Sequence, residues 1–97
     1  MPTYISLTQF TDKGIQGVKE TTRRAATWTA QVQKMGVTVK QIYWTMGAYD
    51  GVCIFEAPDD ATATAALLSA DMLDNIRTQT LRAFTAPEME KILAKVP

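Results

Sequence analysis

The sequence predicts an α+β fold in which four strands and three helices follow one another as β-α-β-β-α-β-α. Three kinds of pattern predict it. Some segments alternate polar with apolar residues at the two-residue period of a strand. Others place apolar residues in steps of three and four, and helix-start signals stand ahead of the helical segments.

Residues Thr3–Phe10 alternate as a half-buried strand, with Ile5 and Leu7 on one side and Tyr4, Ser6, Thr8 and Phe10 on the other. Asp12 then offers a helix N-cap. Ile15, Val18, Ala25, Trp28, Val32 and Met35 line one face of a long amphipathic helix. Glu20 and Arg24 form an i,i+4 pair on its outer face, and Gly36 is placed to end it as the C′ residue. Val37–Met46 is rich in β-branched and aromatic residues and predicts a second strand. The short turn Gly47-Ala48-Tyr49-Asp50 joins it to Gly51–Glu56, a near-continuous apolar run suited to a central strand covered on both faces.

Pro58-Asp59-Asp60 opens the next helix, with acids where the helix dipole favours negative charge, and Ala61–Met72 continues it. Asn75–Phe84 predicts the fourth strand. Thr85-Ala86-Pro87-Glu88 has the pattern of a capping box, and Met89, Ile92, Leu93 and Val96 give the last helix an apolar side. Two split β-α-β halves around a central hairpin are the order of a ferredoxin-like βαββαβ sandwich, here with an extra C-terminal helix. In that arrangement both main helices cover one face of a four-stranded antiparallel sheet. The other face stays open, and its apolar residues mark an interface or a ligand groove.

Composition narrows the function classes. Residues 1–97 are one domain's worth of chain. Ten basic residues balance ten acidic ones, which argues against nucleic acid or an anionic membrane as partner. No apolar run approaches the roughly 20 residues that cross a bilayer. The start of the chain reads as a strand, and the expected location is the cytoplasm. One cysteine, Cys53, allows no intrachain disulfide. The absence of histidine removes Ser-His and Cys-His nucleophile pairs and His-containing zinc sites. No metal and no cofactor is expected.

Tyr43–Asp50 followed by Val52–Asp60, the fourth-strand segment Ile76–Phe84, and the opening Thr11–Ile15 with Val18-Lys19-Glu20 together resemble the GYD-domain family. The resemblance runs in order along essentially the whole chain. The triplet that names the family is Ala48-Tyr49-Asp50 here, with Gly47 one position earlier. What the resemblance implies is the ferredoxin-like fold of dimeric α/β-barrel proteins and a tendency to pair open sheet faces. It implies no activity.

Candidate site residues follow from residue type and place. Tyr49 and Asp50, adjacent in the hairpin turn, suit an acid/base or ligand-orienting pair, or else a packing residue beside a turn-capping carboxylate. Arg77 and Arg82 lie five apart on one strand and so face opposite ways; either one could clamp an anion or close a salt bridge. Tyr43 and Trp44 also face opposite ways, one to the core and one to the open side. Trp28 is a packing residue. Cys53, in the most apolar strand and without an activating base, reads as a small hydrophobe. The leading expectation is a homo-oligomeric small-molecule-binding module, with its pocket between paired sheets lined by Thr8, Tyr49, Asp50, Thr78, Thr80 and Arg82. One rival is a cofactor-independent isomerase or oxygenase with Tyr49 or Asp50 moving the proton. Another is a purely structural, self-assembling subunit.

Overall fold

A computed structural model describes residues Met1–Pro97. The strands are β1 (Thr3–Phe10), β2 (Thr38–Trp44), β3 (Gly51–Glu56) and β4 (Ile76–Ala83). The helices are α1 (Asp12–Gln16), α2 (Thr21–Gln33), α3 (Asp60–Asp71) and α4 (Ala86–Leu93). All strand pairs are antiparallel and the sheet order is β2-β3-β1-β4, the ferredoxin-like arrangement with a C-terminal helix added.

The register sorts side chains between the two faces. Tyr4, Ser6 and Thr8 of β1 stand opposite Phe55, Cys53 and Gly51 of β3, and opposite Arg82, Thr80 and Thr78 of β4. The buried members of this set, Tyr4, Ser6, Gly51, Cys53 and Phe55, identify it as the face that α2 and α3 cover. Beneath those helices the core gathers Tyr4, Phe55, Val32, Val37, Ala63, Ala66 and Leu67. Tyr4 and Phe55 stack with ring centroids 5.4 Å apart. The Tyr4 hydroxyl donates to Asp60 Oδ1 at 2.6 Å, which ties β1 to the start of α3. Burial pushes the Tyr4 phenol up to about 12, and the bond to Asp60 adds to it.

The first helical region departs from the long helix that its periodicity predicts. It breaks after Gln16, passes through a 3-10 turn at Val18–Glu20 and restarts at Thr21. Gly17 ends α1 with φ −102° and ψ 27°, outside helical values. The Arg24 guanidinium reaches back to the Gly17 carbonyl at 2.8 Å and holds the break in place. Arg24 therefore does not pair with Glu20; Arg23 does, at 2.7 Å. The N-cap is Thr11, whose hydroxyl accepts from Gly14 N–H, rather than Asp12, which is the first residue inside the helix.

Gly36 ends the α2 segment at φ 87°, as its position predicts. Gly47 supplies the positive φ, 94°, of the β2–β3 loop, which frees position 48 to be alanine. Asp59 caps α3 through the Thr62 N–H, and α4 carries the full capping box between Thr85 and Glu88. Arg82 tethers the start of α4 through Glu88 at 3.7 Å, and no residue of α4 is buried.

Candidate functional site

On the helix-covered face the middle of the sheet is floored by short side chains: Ser6 and Thr8 on β1, Cys53 on β3 and Thr78 on β4. The helix residues above them include Ala25 of α2 and Ala70 of α3. Short residues on both sides leave a gap, and a partly open cavity of about 250 Å³ results. Its walls are fixed. Trp28 crosses from α2 to α3 and its indole N–H donates to the Ala66 carbonyl at 2.9 Å. Trp44, on β2, donates from its indole to Thr21 Oγ1 at 3.0 Å, so both tryptophans of the chain line the cavity.

Three polar features lie in these walls. Ser6 is 1% exposed and its Oγ has no hydrogen-bond partner in the protein. Arg24 bonds the carbonyls of Gly17 and Gly14, and no carboxylate is paired with it. Asp50 accepts the Phe10 N–H at 2.8 Å, and no cation is paired with it. Both charged groups are anchored on the segment from Phe10 to Gly17. Cys53 on the floor is a poor nucleophile, because burial pushes its thiol up to about 12. No three carboxylate or thiol groups converge on a point that would hold a metal ion.

The structure divides the residues expected to share one pocket. Thr8, Thr78, Thr80 and Arg82 all stand on the helix-covered face, so a cavity between two open faces would not be lined by them. Thr8, Thr78 and Asp50 line the helix-side cavity instead. Thr78 Oγ1 also donates to the Asp71 carboxylate at 2.9 Å, which joins β4 to the end of α3. Thr80 is exposed at the sheet edge. Arg82 bonds the backbone carbonyls of Thr3 and Ala83 and lies 4.6 Å over the Phe84 ring. Its guanidinium thus secures the β4–α4 corner.

Tyr49 does not meet Asp50. Its hydroxyl donates to Gln79 Oε1 at 3.2 Å, and Gln79 stands opposite Leu7 on the open face. Asp50 continues the sheet instead: its N–H donates to the Thr8 carbonyl and its carboxylate takes the Phe10 N–H that β3 is too short to reach. Sequence reading missed Ser6, Arg24 and the two tryptophans as a group. The signal available was the row of hydroxyls on one face of β1 facing an Ala-rich helix.

A second surface lies on the opposite side of the sheet. Ile5, Leu7, Val52, Ile54, Leu81 and Tyr43 occupy this face; Tyr43 and Leu81 are exposed and the other four are half-buried. Arg77 belongs to this face too, pairing with Asp74 at 2.7 Å.

The sequence profile of the GYD domain matches residues 4–93. A curated protein of Thermus thermophilus, named glutamine synthetase and cystathionine beta-lyase binding protein, is similar to this chain. The two are 31% identical over 90 residues, which cover 92% of this chain and 95% of that protein.

Proposed function

We propose that this chain, which belongs to the GYD domain family, is a protein-binding module that works as a homo-oligomer. Copies pair through the open sheet face, and the paired body presents α4 to an enzyme partner. The observation that carries this reading is surface in excess. The chain exposes 6486 Å², against about 5,500 Å² expected for a folded monomer of its 10.7 kDa. The difference, about 1,000 Å², is comparable to the ~800 Å² that each partner contributes to a standard protein interface. Fifteen large apolar side chains are exposed, and six of them lie in two places. Tyr43 and Leu81 stand on the open sheet face, and Phe84, Met89, Leu93 and Val96 lie along or beside α4.

A zero net charge supports pairing of like copies, since little long-range repulsion opposes it. The relative's name supports the enzyme partner. A small-molecule site belongs to this reading as well; we assign it to the helix-side cavity that Thr8, Thr78 and Asp50 share.

Glutamine synthetase and cystathionine beta-lyase from the same source organism, immobilised in turn, test the docking. At least one is expected to retain the chain saturably in surface plasmon resonance. The double variant Met89→Glu, Leu93→Glu is expected to lose that retention while keeping its circular dichroism spectrum. Absence of saturable retention on both enzymes contradicts the proposal.

A further inference from the structure

We infer that the cavity between the sheet and helices α2 and α3 is a site for a free α-amino acid. This deepens the small-molecule part of the reading above and does not depend on which enzyme the surface meets. Three observations converge. First, Ser6 Oγ is buried without a partner, and it lines the cavity. A buried hydroxyl left unpaired is costly, and in native proteins such a group ordinarily meets water or a ligand. Second, Arg24 and Asp50, of opposite charge, are both among the residues that line the cavity; neither is closed into an ion pair, and both bond the segment from Phe10 to Gly17. Third, the remaining walls are mainly apolar, with Trp28, Leu67 and Ile42 among them.

A zwitterion answers this pattern and a simple anion or cation does not. Its carboxylate takes free N–H donors of Arg24, and its ammonium donates to the lone pairs of Asp50 that the Phe10 N–H leaves open. Each charge of the ligand then meets its opposite, so no net charge enters the low-dielectric interior. The side chain points among the apolar walls. A side-chain amide or hydroxyl on the ligand gains a bond to Ser6, whereas a purely aliphatic one leaves that hydroxyl as it is. The volume suits a side chain of moderate size: a cavity of ~150 Å³ already takes benzene, and this one is about 250 Å³. Arg23 also lines the cavity, but its guanidinium is committed to Glu20.

Both tryptophans line the cavity, so intrinsic fluorescence reads its occupancy. The probes are L-glutamine, L-leucine, 4-methylpentanoate (leucine without its ammonium) and 3-methylbutylamine (leucine without its carboxylate), each titrated to millimolar concentration. Saturable changes are expected with the two amino acids, and affinities at least about tenfold weaker with the two half-ligands, the loss of one charge-assisted pair. Asp50→Asn keeps an acceptor for the Phe10 N–H and is expected to bring leucine down to the level of 4-methylpentanoate. Ser6→Ala is expected to weaken glutamine about three- to tenfold and leave leucine unchanged. It should also leave the melting temperature of the unliganded protein intact, because it removes a group that has no partner.

Half-ligands that bind as well as leucine, or an Asp50→Asn variant with unchanged affinity, overturn the amino-acid assignment while leaving a small-molecule site. No saturable change with any probe overturns both. A Ser6→Ala protein that melts well below the parent shows that Ser6 is held by the protein, and overturns its role as a ligand contact.

Discussion

At the scale of single residues, the most demanding position is Gly14. A Cβ built there would stand 1.9 Å from the Asn75 carbonyl oxygen, so the backbones of α1 and the α3–β4 loop touch directly. The same contact is clamped from both sides. Thr11 N–H donates to the Asn75 carbonyl, and Lys13 Nζ donates to the Leu73 carbonyl at 3.0 Å. Gly14→Ala must push these backbones apart, and about 1–3 kcal/mol of stability is expected to be lost in urea denaturation. Gly17→Ala is the control, since its Cβ would meet the tip of the flexible Arg24 side chain at 3.3 Å and the Lys13 carbonyl at an ordinary 3.8 Å. A Gly14→Ala protein as stable as Gly17→Ala contradicts the contact. Nothing in the sequence around Gly14 revealed this constraint, because its partner lies sixty-one residues further along the chain. For a different reason the roles of Thr8, Thr78 and Asp50 were only half legible. Alternation shows that a strand has two faces, but which face the helices cover is a tertiary fact. Hydroxyl side chains suggested a wet surface, whereas here they floor a cavity that small helix residues fail to fill.

At the scale of elements, the starts of α3 and α4 were read well because capping is local chemistry, whereas the first cap proved to be Thr11 instead of Asp12. The Thr85–Glu88 box and the acids before α3 were visible in sequence, and the structure forms both caps. The break at Gly17 was not visible, because the apolar periodicity continues across it. What makes the break is a side chain, Arg24, bonding a carbonyl seven residues earlier. The caps carry a pH dependence. Backbone N–H groups of Thr62 and Thr85 hold the carboxyls of Asp59 and Glu88 below their ordinary values of 3.8 and 4.5. A carboxyl depressed in the folded state contributes stability that is present above its unfolded value and is lost as pH falls through the folded one. Helix content followed by far-UV circular dichroism is therefore expected to fall on acidification below these values. Asp59→Asn, which caps without a titrating charge, should flatten part of that fall. An acid limb with the same steepness in Asp59→Asn contradicts the role given to this cap.

At the scale of the whole molecule, the sequence order β-α-β-β-α-β-α was enough to obtain a ferredoxin-like four-stranded antiparallel sheet, because split β-α-β units leave few ways to arrange its strands. The shape was less legible. The radius of gyration is 14.6 Å against about 12.5 Å for a compact chain of this length. The extents of 50 × 31 × 18 Å describe an elongated body. Two features accompany it: a sheet face on which Tyr43 and Leu81 stay exposed, and an α4 with no buried residue. An eight-residue helix is too short to hold in water by propensity alone, so its box and the Arg82–Glu88 tether set its start, while Met89 and Leu93 on its apolar side stay exposed. The central strand β3 was read as covered on both faces. Within one chain only the side bearing Cys53 and Phe55 is buried, and Val52 and Ile54 on the other side are half-exposed.

The central claim, that a second copy covers this open face, is tested most directly by multi-angle light scattering at micromolar concentration. The wild-type chain is expected to scatter with a mass of at least twice 10.7 kDa. Ile54→Lys, which sets like charges against each other across a symmetric interface, should return it to the monomer mass with an unchanged circular dichroism spectrum. A wild-type protein that scatters as a 10.7 kDa monomer contradicts the account.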